Sequence, residues 1–188
     1  MTRLAVALIA LSLGAGHKPR AKPKPKGPKP LESTLLSVQA AEPTTDLLKS
    51  YPRLHKHPGE RATSWDACDS KESVRFVFYE EQFLAGHVTT VAASKVDPVL
   101  CAHEGKQLPE MKAKVITPRG IRLGASEEDI VKAYGKPGEI SDTDVFKSLS
   151  YRRPLEVKGI DQALRVVLSF ELRAGKLSGV RMVVEPGS

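Results

Sequence analysis

Aromatic residues are scarce, at 5% of the 188, and cysteine occurs only twice. The first scarcity means that most rings are needed inside a core, which leaves few to anchor a partner. The second rules out a dense disulfide framework. Cys68 and Cys101 are too far apart for a C-x-x-C pair, and no His or Cys stands at zinc-finger spacing around them. The short motifs of hydrolytic and nucleotide chemistry are missing as well. There is no G-x-S-x-G, no H-E-x-x-H and no phosphate loop, since Gly120–Gly124 (GIRLG) lacks the Lys-Ser/Thr pair that a phosphate loop needs. Net charge is absent outside one segment. Arg3 and the six basic residues of His17–Pro30 precede the first acidic residue, Glu32, and account for the whole formal charge of +7, so residues 31–188 hold 22 basic and 22 acidic side chains. A formally neutral folded part lacks the basic footprint of a nucleic-acid-binding domain.

What is present begins with a leader. Met1-Thr2-Arg3 is basic, Leu4–Leu13 (LAVALIALSL) is a ten-residue apolar run, and Gly14-Ala15-Gly16 supplies small residues, the pattern of a secretory signal peptide over residues 1–16. As a helix the run reaches roughly 15 Å against a hydrocarbon core of about 30 Å, so it predicts cleavable export rather than a membrane anchor. No Cys follows it to carry a lipid. Residues 17–30 (HKPRAKPKPKGPKP) then alternate Lys with Pro, which favours a semi-rigid polyproline II spacer of roughly 40 Å. Its cations, Lys18, Arg20, Lys22, Lys24, Lys26 and Lys29, allow a loose contact with an anionic surface such as lipid head groups or cell-wall polymer. The simpler reading is a solvated linker. In an exported protein the even cysteine count predicts a Cys68–Cys101 disulfide, closing a loop of about 34 residues and worth roughly 4 kcal/mol.

The remainder reads as one small unit written twice. Glu42–Tyr51 (EPTTDLLKSY) is echoed by Ala125–Tyr134 (ASEEDIVKAY), and Ala85–Val91 (AGHVTTV) by Ala174–Val180 (AGKLSGV), in the same order. Ser126 is a plausible helix cap, with Glu127, Glu128 and Asp129 in the first turn and Gly135 and Pro137 as the stop. Ile130, Val131 and Tyr134 then share one face. The first copy offers Thr44 or Thr45 as cap, Leu47, Leu48 and Tyr51 on the face, and Pro52 as the stop. Leu164–Arg173 alternates apolar and polar residues as a half-buried antiparallel strand does, with a return at Leu177–Val184 and a third strand at Phe146–Arg153. Ser64–Cys68, Ser73–Tyr79 and His87–Ala93 repeat the plan, with Glu80, Glu81 and Gln82 projecting from a longer hairpin tip. The expected class is α+β, in two tandem units at 31–107 and 115–188, each a short helix plus an antiparallel meander, with a shared interface or a continuous sheet between them. Such units, at about 70 residues, have little core of their own.

Residues Thr117–Pro137 (TPRGIRLGASEEDIVKAYGKP), followed by Leu164–Phe170 and Ala174–Leu177, resemble the small exported domains of the β-lactamase-inhibitory-protein and SmpA/BamE type. In those an apolar-x-x-Gly turn introduces a short helix ending in Gly-x-Pro, ahead of an antiparallel meander. Gly124 and Gly135 carry the motif here. The resemblance covers about 70 residues and implies a binding module. The chain departs from it in having no lipobox cysteine, and in placing both cysteines around the first hairpin instead of one disulfide in each half.

Candidate chemistry is thin. His55 and His57 in Arg53–Pro58 (RLHKHP) are two residues apart, a spacing that on a strand puts both on one face and could hold a metal with a third ligand. Pro58 and Gly59 argue for a loop, and no acidic residue comes nearer than Glu60, so the expectation is no metal and no cofactor. Cys68 with His87 or His103 could form a thiol nucleophile and its base, but a disulfide explains the same cysteine more simply. Candidate binding anchors are Trp65, Phe83, Tyr151 and the Arg152-Arg153 pair, with the acidic tip at Glu80 and Glu81 as the counterpart in sign. With rings so scarce, a core position is the stronger reading for the aromatic residues, and Phe146, Leu149 and Tyr151 are the inward residues of their strand. The expected function is therefore a non-catalytic, exported (periplasmic or secreted) module that binds a protein or envelope component, with no nucleic acid and no transmembrane segment after processing. The rivals are a thiol or His-metal hydrolase and a structural envelope protein tethered by its basic arm.

Overall fold

The computed structural model describes residues 34–103 and 105–187. The expected leader at 1–16 and the expected spacer at 17–30 lie outside the described residues. In chain order the elements are β1 (Thr34–Leu35), β2 (Val38–Gln39), α1 (Thr44–Ser50), β3 (His55–His57), β4 (Ala62–Asp69), β5 (Val74–Glu81) and β6 (Thr90–Lys95). There follow β7 (Ala102–His103), β8 (Lys106–Gln107), α2 (Glu127–Tyr134), β9 (Glu139–Asp142), β10 (Lys147–Leu155), β11 (Leu164–Arg173) and β12 (Lys176–Pro186). Short 3₁₀ turns stand at Gln82–Leu84 and Pro98–Cys101.

Eight strands join in one antiparallel sheet in the order β3-β4-β5-β6-β12-β11-β10-β9. This overturns the expected α+β class and its two helix-plus-meander units. Among the described residues the chain is mostly β, and its two α-helices have seven and eight residues. The physical reason lies at the centre of the sheet. A separate meander would leave β6 and β12 as edges with unpaired backbone groups and would close a core too small for its length. Pairing of Val180 with Ala93 and of Met182 with Val91 removes both edges. It also merges the apolar residues into one cluster running from Trp65 and Phe78 to Leu149 and Phe170.

Local patterning explains the strands that form it. Leu164, Val166, Leu168, Phe170 and Leu172 of β11 are all buried, as strict alternation demands of one sheet face. The β11–β12 turn takes Ala174 and Gly175 at φ of +48° and +72°, the left-handed pair that matches strand twist in a tight hairpin. The edge strands β3 and β9 have only three and four residues. Neither carries an apolar alternation, and the sequence shows neither as a strand.

Both helices lie on the apolar face. In α2 the Ser126 hydroxyl accepts from Asp129 N–H at 3.2 Å, and the Asp129 carboxylate accepts from Ser126 N–H at 3.0 Å, a reciprocal cap. Donation from the Ser126 hydroxyl at 2.7 Å, and after it from the Ser126 N–H, holds the Asp129 carboxyl below the usual carboxylate range. Gly135, at φ +84°, ends the helix. Ile130 is fully buried, and the Tyr134 ring sits 4.9 Å from Phe170 and 5.5 Å from Tyr151. In α1 the expected cap at Thr44 or Thr45 gives way to Pro43, because Thr44 donates its hydroxyl to Glu80 at 2.6 Å. Leu47 is buried while Leu48 is exposed, and Tyr51 stacks on Phe78 with centroids 5.9 Å apart. No helix among the described residues is long and apolar enough to cross a membrane.

Candidate functional site

With the helices on one face, the opposite face of the sheet is open, and strand register lays its side chains in rows. One row runs Asp66, Val77, Ala92, Arg181, Ser169, Ser150, Glu139; its neighbour runs Ser64, Tyr79, Thr90, Val183, Val167, Arg152. The centre of the face is a shallow depression of about 340 Å³ whose lining includes Ser94, Ser148, Ser169, Arg152 and Arg181. Charge alternates across it. Arg152 pairs with Glu139, Arg165 Nε lies 2.9 Å from Glu185 Oε2, and the hydroxyls of Ser150 and Ser169 meet at 2.9 Å. Tyr79 is 38% exposed beside this polar field. Serine and arginine in positions that alternate with core residues are what a sheet solvated on one side requires.

The residues singled out from the sequence do not form one patch. Arg152 stands on the open face. Tyr151 turns the other way into the core, 6% exposed, and donates its hydroxyl to the Gly135 carbonyl at 3.1 Å, so it is not a surface anchor. Arg153 is half-buried on the core side, with Nε buried and making no hydrogen bond. Glu80 and Glu81 end β5 instead of projecting from a tip, and Phe83 is half-buried against the core. Three strands, β6, β12 and β11, separate that corner from Arg152. Trp65 is buried. The six arm cations lie outside the described residues.

The Cys68–Cys101 disulfide is present, with Cα atoms 5.5 Å apart, an ordinary bridging separation. Neither cysteine is free, which withdraws the Cys68 nucleophile from the thiol reading. The bridge has a second consequence at the edge of the sheet. His55–His57 is strand β3 and not a loop, pairing His55 with Asp66 and His57 with Ser64. A period of two puts both imidazoles on the open face, the side to which Asp66 and Cys68 also point. The disulfide holds the Pro98–Cys101 turn against that side, and a further turn of chain brings His103 over β3. Cys101 O accepts from Leu108 N at 2.9 Å, which closes the β7–β8 hairpin that carries His103.

The result is a cluster of three histidines. Ring centroids are 4.5 Å apart for His55 and His57, 4.3 Å for His57 and His103, and 5.6 Å for His55 and His103. One nitrogen from each ring lies within 4.8 Å of the others. Behind them Asp66, with its side chain 1% exposed, holds His57 Nε2 at 2.8 Å and Arg75 Nη2 at 2.5 Å. The sequence signal was the His-x-His spacing. The third histidine was invisible because it arrives through a disulfide 33 residues long in sequence.

Family models, curated proteins and solved structures contain no significant match to the chain.

Proposed function

We propose that the chain is an exported, non-catalytic binding module that recognises a protein through the open face of its sheet. The observation that carries this reading is the uncovered polar face itself, which runs from Tyr79 of β5 to Glu139 of β9 and bears Arg152, Arg165 and Arg181 interleaved with Glu139, Glu171 and Glu185. A field of alternating sign suits a mixed protein surface better than a polyanion, which calls for one sign of charge. Tyr79 and Val183 in the neighbouring row add the aromatic and apolar area that interface centres contain. Arg181 is exposed in the middle of the face and makes no ion pair among the described residues; arginine so placed is a common hot spot. The disulfide suits an oxidising compartment, and the leader-like segment 1–16 and the resemblance of Thr117–Pro137 to small exported binding domains support the same reading.

The test is site-specific photo-crosslinking in the native secreted or envelope fraction. A photoreactive residue at Val183 or Ser169 should give a discrete protein adduct, whereas one at Lys132, on the exposed side of α2, should not. Arg181→Glu should reduce the adduct about tenfold, equivalent to 1.4 kcal/mol of binding. Equal labelling from Lys132, or labelling indifferent to Arg181→Glu, would refute the reading.

A further inference from the structure

We propose that His55, His57 and His103 form a binding site for a divalent transition metal ion, with Asp66 as the positioning residue for His57. The site is independent of the partner reading above and uses no residue of its central rows except Asp66.

Three considerations carry the assignment. Imidazole is a ligand of intermediate softness and selects zinc, copper or nickel over calcium and magnesium, which prefer oxygen. Three imidazoles with an open fourth position are a standard donor set for such ions. One nitrogen from each ring already lies within 4.8 Å of the others. Metal–nitrogen bonds of about 2.0–2.1 Å in a tetrahedral arrangement need nitrogens about 3.3 Å apart, so the rings must close by about 1.5 Å at most. His55 is exposed and free of core packing, and rotation of its ring supplies most of that movement.

The groups behind the cluster favour coordination over a chance meeting of rings. A neutral His57 donates Nε2–H to the buried Asp66 carboxylate and keeps its lone pair on Nδ1. A carboxylate hydrogen-bonded to a ligand histidine fixes its tautomer and strengthens it as a donor. Arg75 grips the other oxygen of Asp66, from Nε at 3.2 Å and from Nη2, so the carboxylate cannot swing away. The three ligands also come from two rigidly connected places: one edge strand, and a hairpin pinned by a disulfide two residues before His103. Such preorganisation lowers the entropy lost on binding.

The experiment uses the full chain, purified without a histidine tag and stripped of metal. Zn²⁺ is titrated calorimetrically, and Co²⁺ is followed by its visible absorption. The expected result is one equivalent bound, with the intense bands of four-coordinate cobalt. His55→Ala and His103→Ala, both outside the core, should each weaken binding at least tenfold, since even outer-shell changes lose about 10–100-fold. Asp66→Asn, with folding checked by circular dichroism, should weaken binding within that range. His87→Ala, remote from the cluster, should leave it unchanged. Absence of saturable uptake by the folded chain would overturn the proposal. So would uptake that survives both His55→Ala and His103→Ala, which would place the ion elsewhere.

Discussion

Asp66 Oδ1 accepts a hydrogen bond from His57 Nε2 at 2.8 Å across β3 and β4, and the carboxylate making it is 1% exposed. An acid so far from water is tolerated because Arg75 grips its other oxygen. Asp66→Ala removes the partner of a guanidinium that is only 30% exposed. Breaking a fully buried pair this way costs about 3–5 kcal/mol, and the partial exposure of Arg75 lowers the expectation to about 2–3 kcal/mol. Urea denaturation measures the loss. A value below about 0.5 kcal/mol would mean that Asp66 holds nothing in place.

The disulfide links stability to the histidine cluster. In the double variant Cys68→Ser, Cys101→Ser the chain should lose roughly 4 kcal/mol through the regained freedom of a loop of about 34 residues. Under mild conditions, where the variant is still folded, the hairpin carrying His103 should exchange its amide hydrogens faster than the β5–β6 pair. Equal protection of the hairpin in both proteins would show that the bridge does not place His103. In the wild type, thiol alkylation should appear only after reduction.

Alkaline pH should weaken the fold through two tyrosines. Burial raises the hydroxyl pKa of both Tyr51 and Tyr151 above the ordinary value of 10.0. A raised folded-state value means that the native chain keeps protons the unfolded chain has released. The stabilisation is fully present below the unfolded pKa and is lost as pH rises through the higher folded values. The melting temperature should therefore fall from about pH 10 upward, and Tyr51→Phe with Tyr151→Phe should flatten that decline. Each hydroxyl also donates to a carbonyl, of Leu36 and of Gly135, so each single variant should cost about 1 kcal/mol at neutral pH.

At acid pH the sign reverses for Asp129. Its folded pKa is lowered by the Ser126 hydrogen bonds, so its contribution is present above the unfolded pKa and is lost as pH falls through the folded value. Ser126→Ala should destabilise the protein by about 1 kcal/mol at neutral pH and shrink the pH dependence in the acid range. A Ser126→Ala protein whose acid titration of stability matches the wild type would disprove the coupling.

Much of the fold was legible wherever one face of an element is buried. The alternation in Leu164–Arg173 locates β11 to the residue, and the Ser126, Asp129 and Gly135 signals bound α2. Both rest on contacts within a few residues. The cap of α1 is not legible in the same way, because Thr44 meets Glu80, a partner 36 positions away. The edge strands are hidden for a different reason. His55–His57 and Glu139–Asp142 have few apolar side chains, and they become strands because β4 and β10 offer them open backbone groups.

The sequence by itself determined the periodic elements, the neutrality of residues 31–188, and the pairing of its two cysteines once export is assumed. All of these follow from local spacing or from counting. Only the tertiary structure decided that β6 meets β12, which joins the strands of both expected units in one sheet. It also decided that His103 joins His55 and His57, whereas the inward turn of Tyr151 beside Leu149 was already written in the alternation of Phe146–Arg153. A contact between residues far apart in the chain is chosen by the whole core and its closures, and no local pattern records that choice.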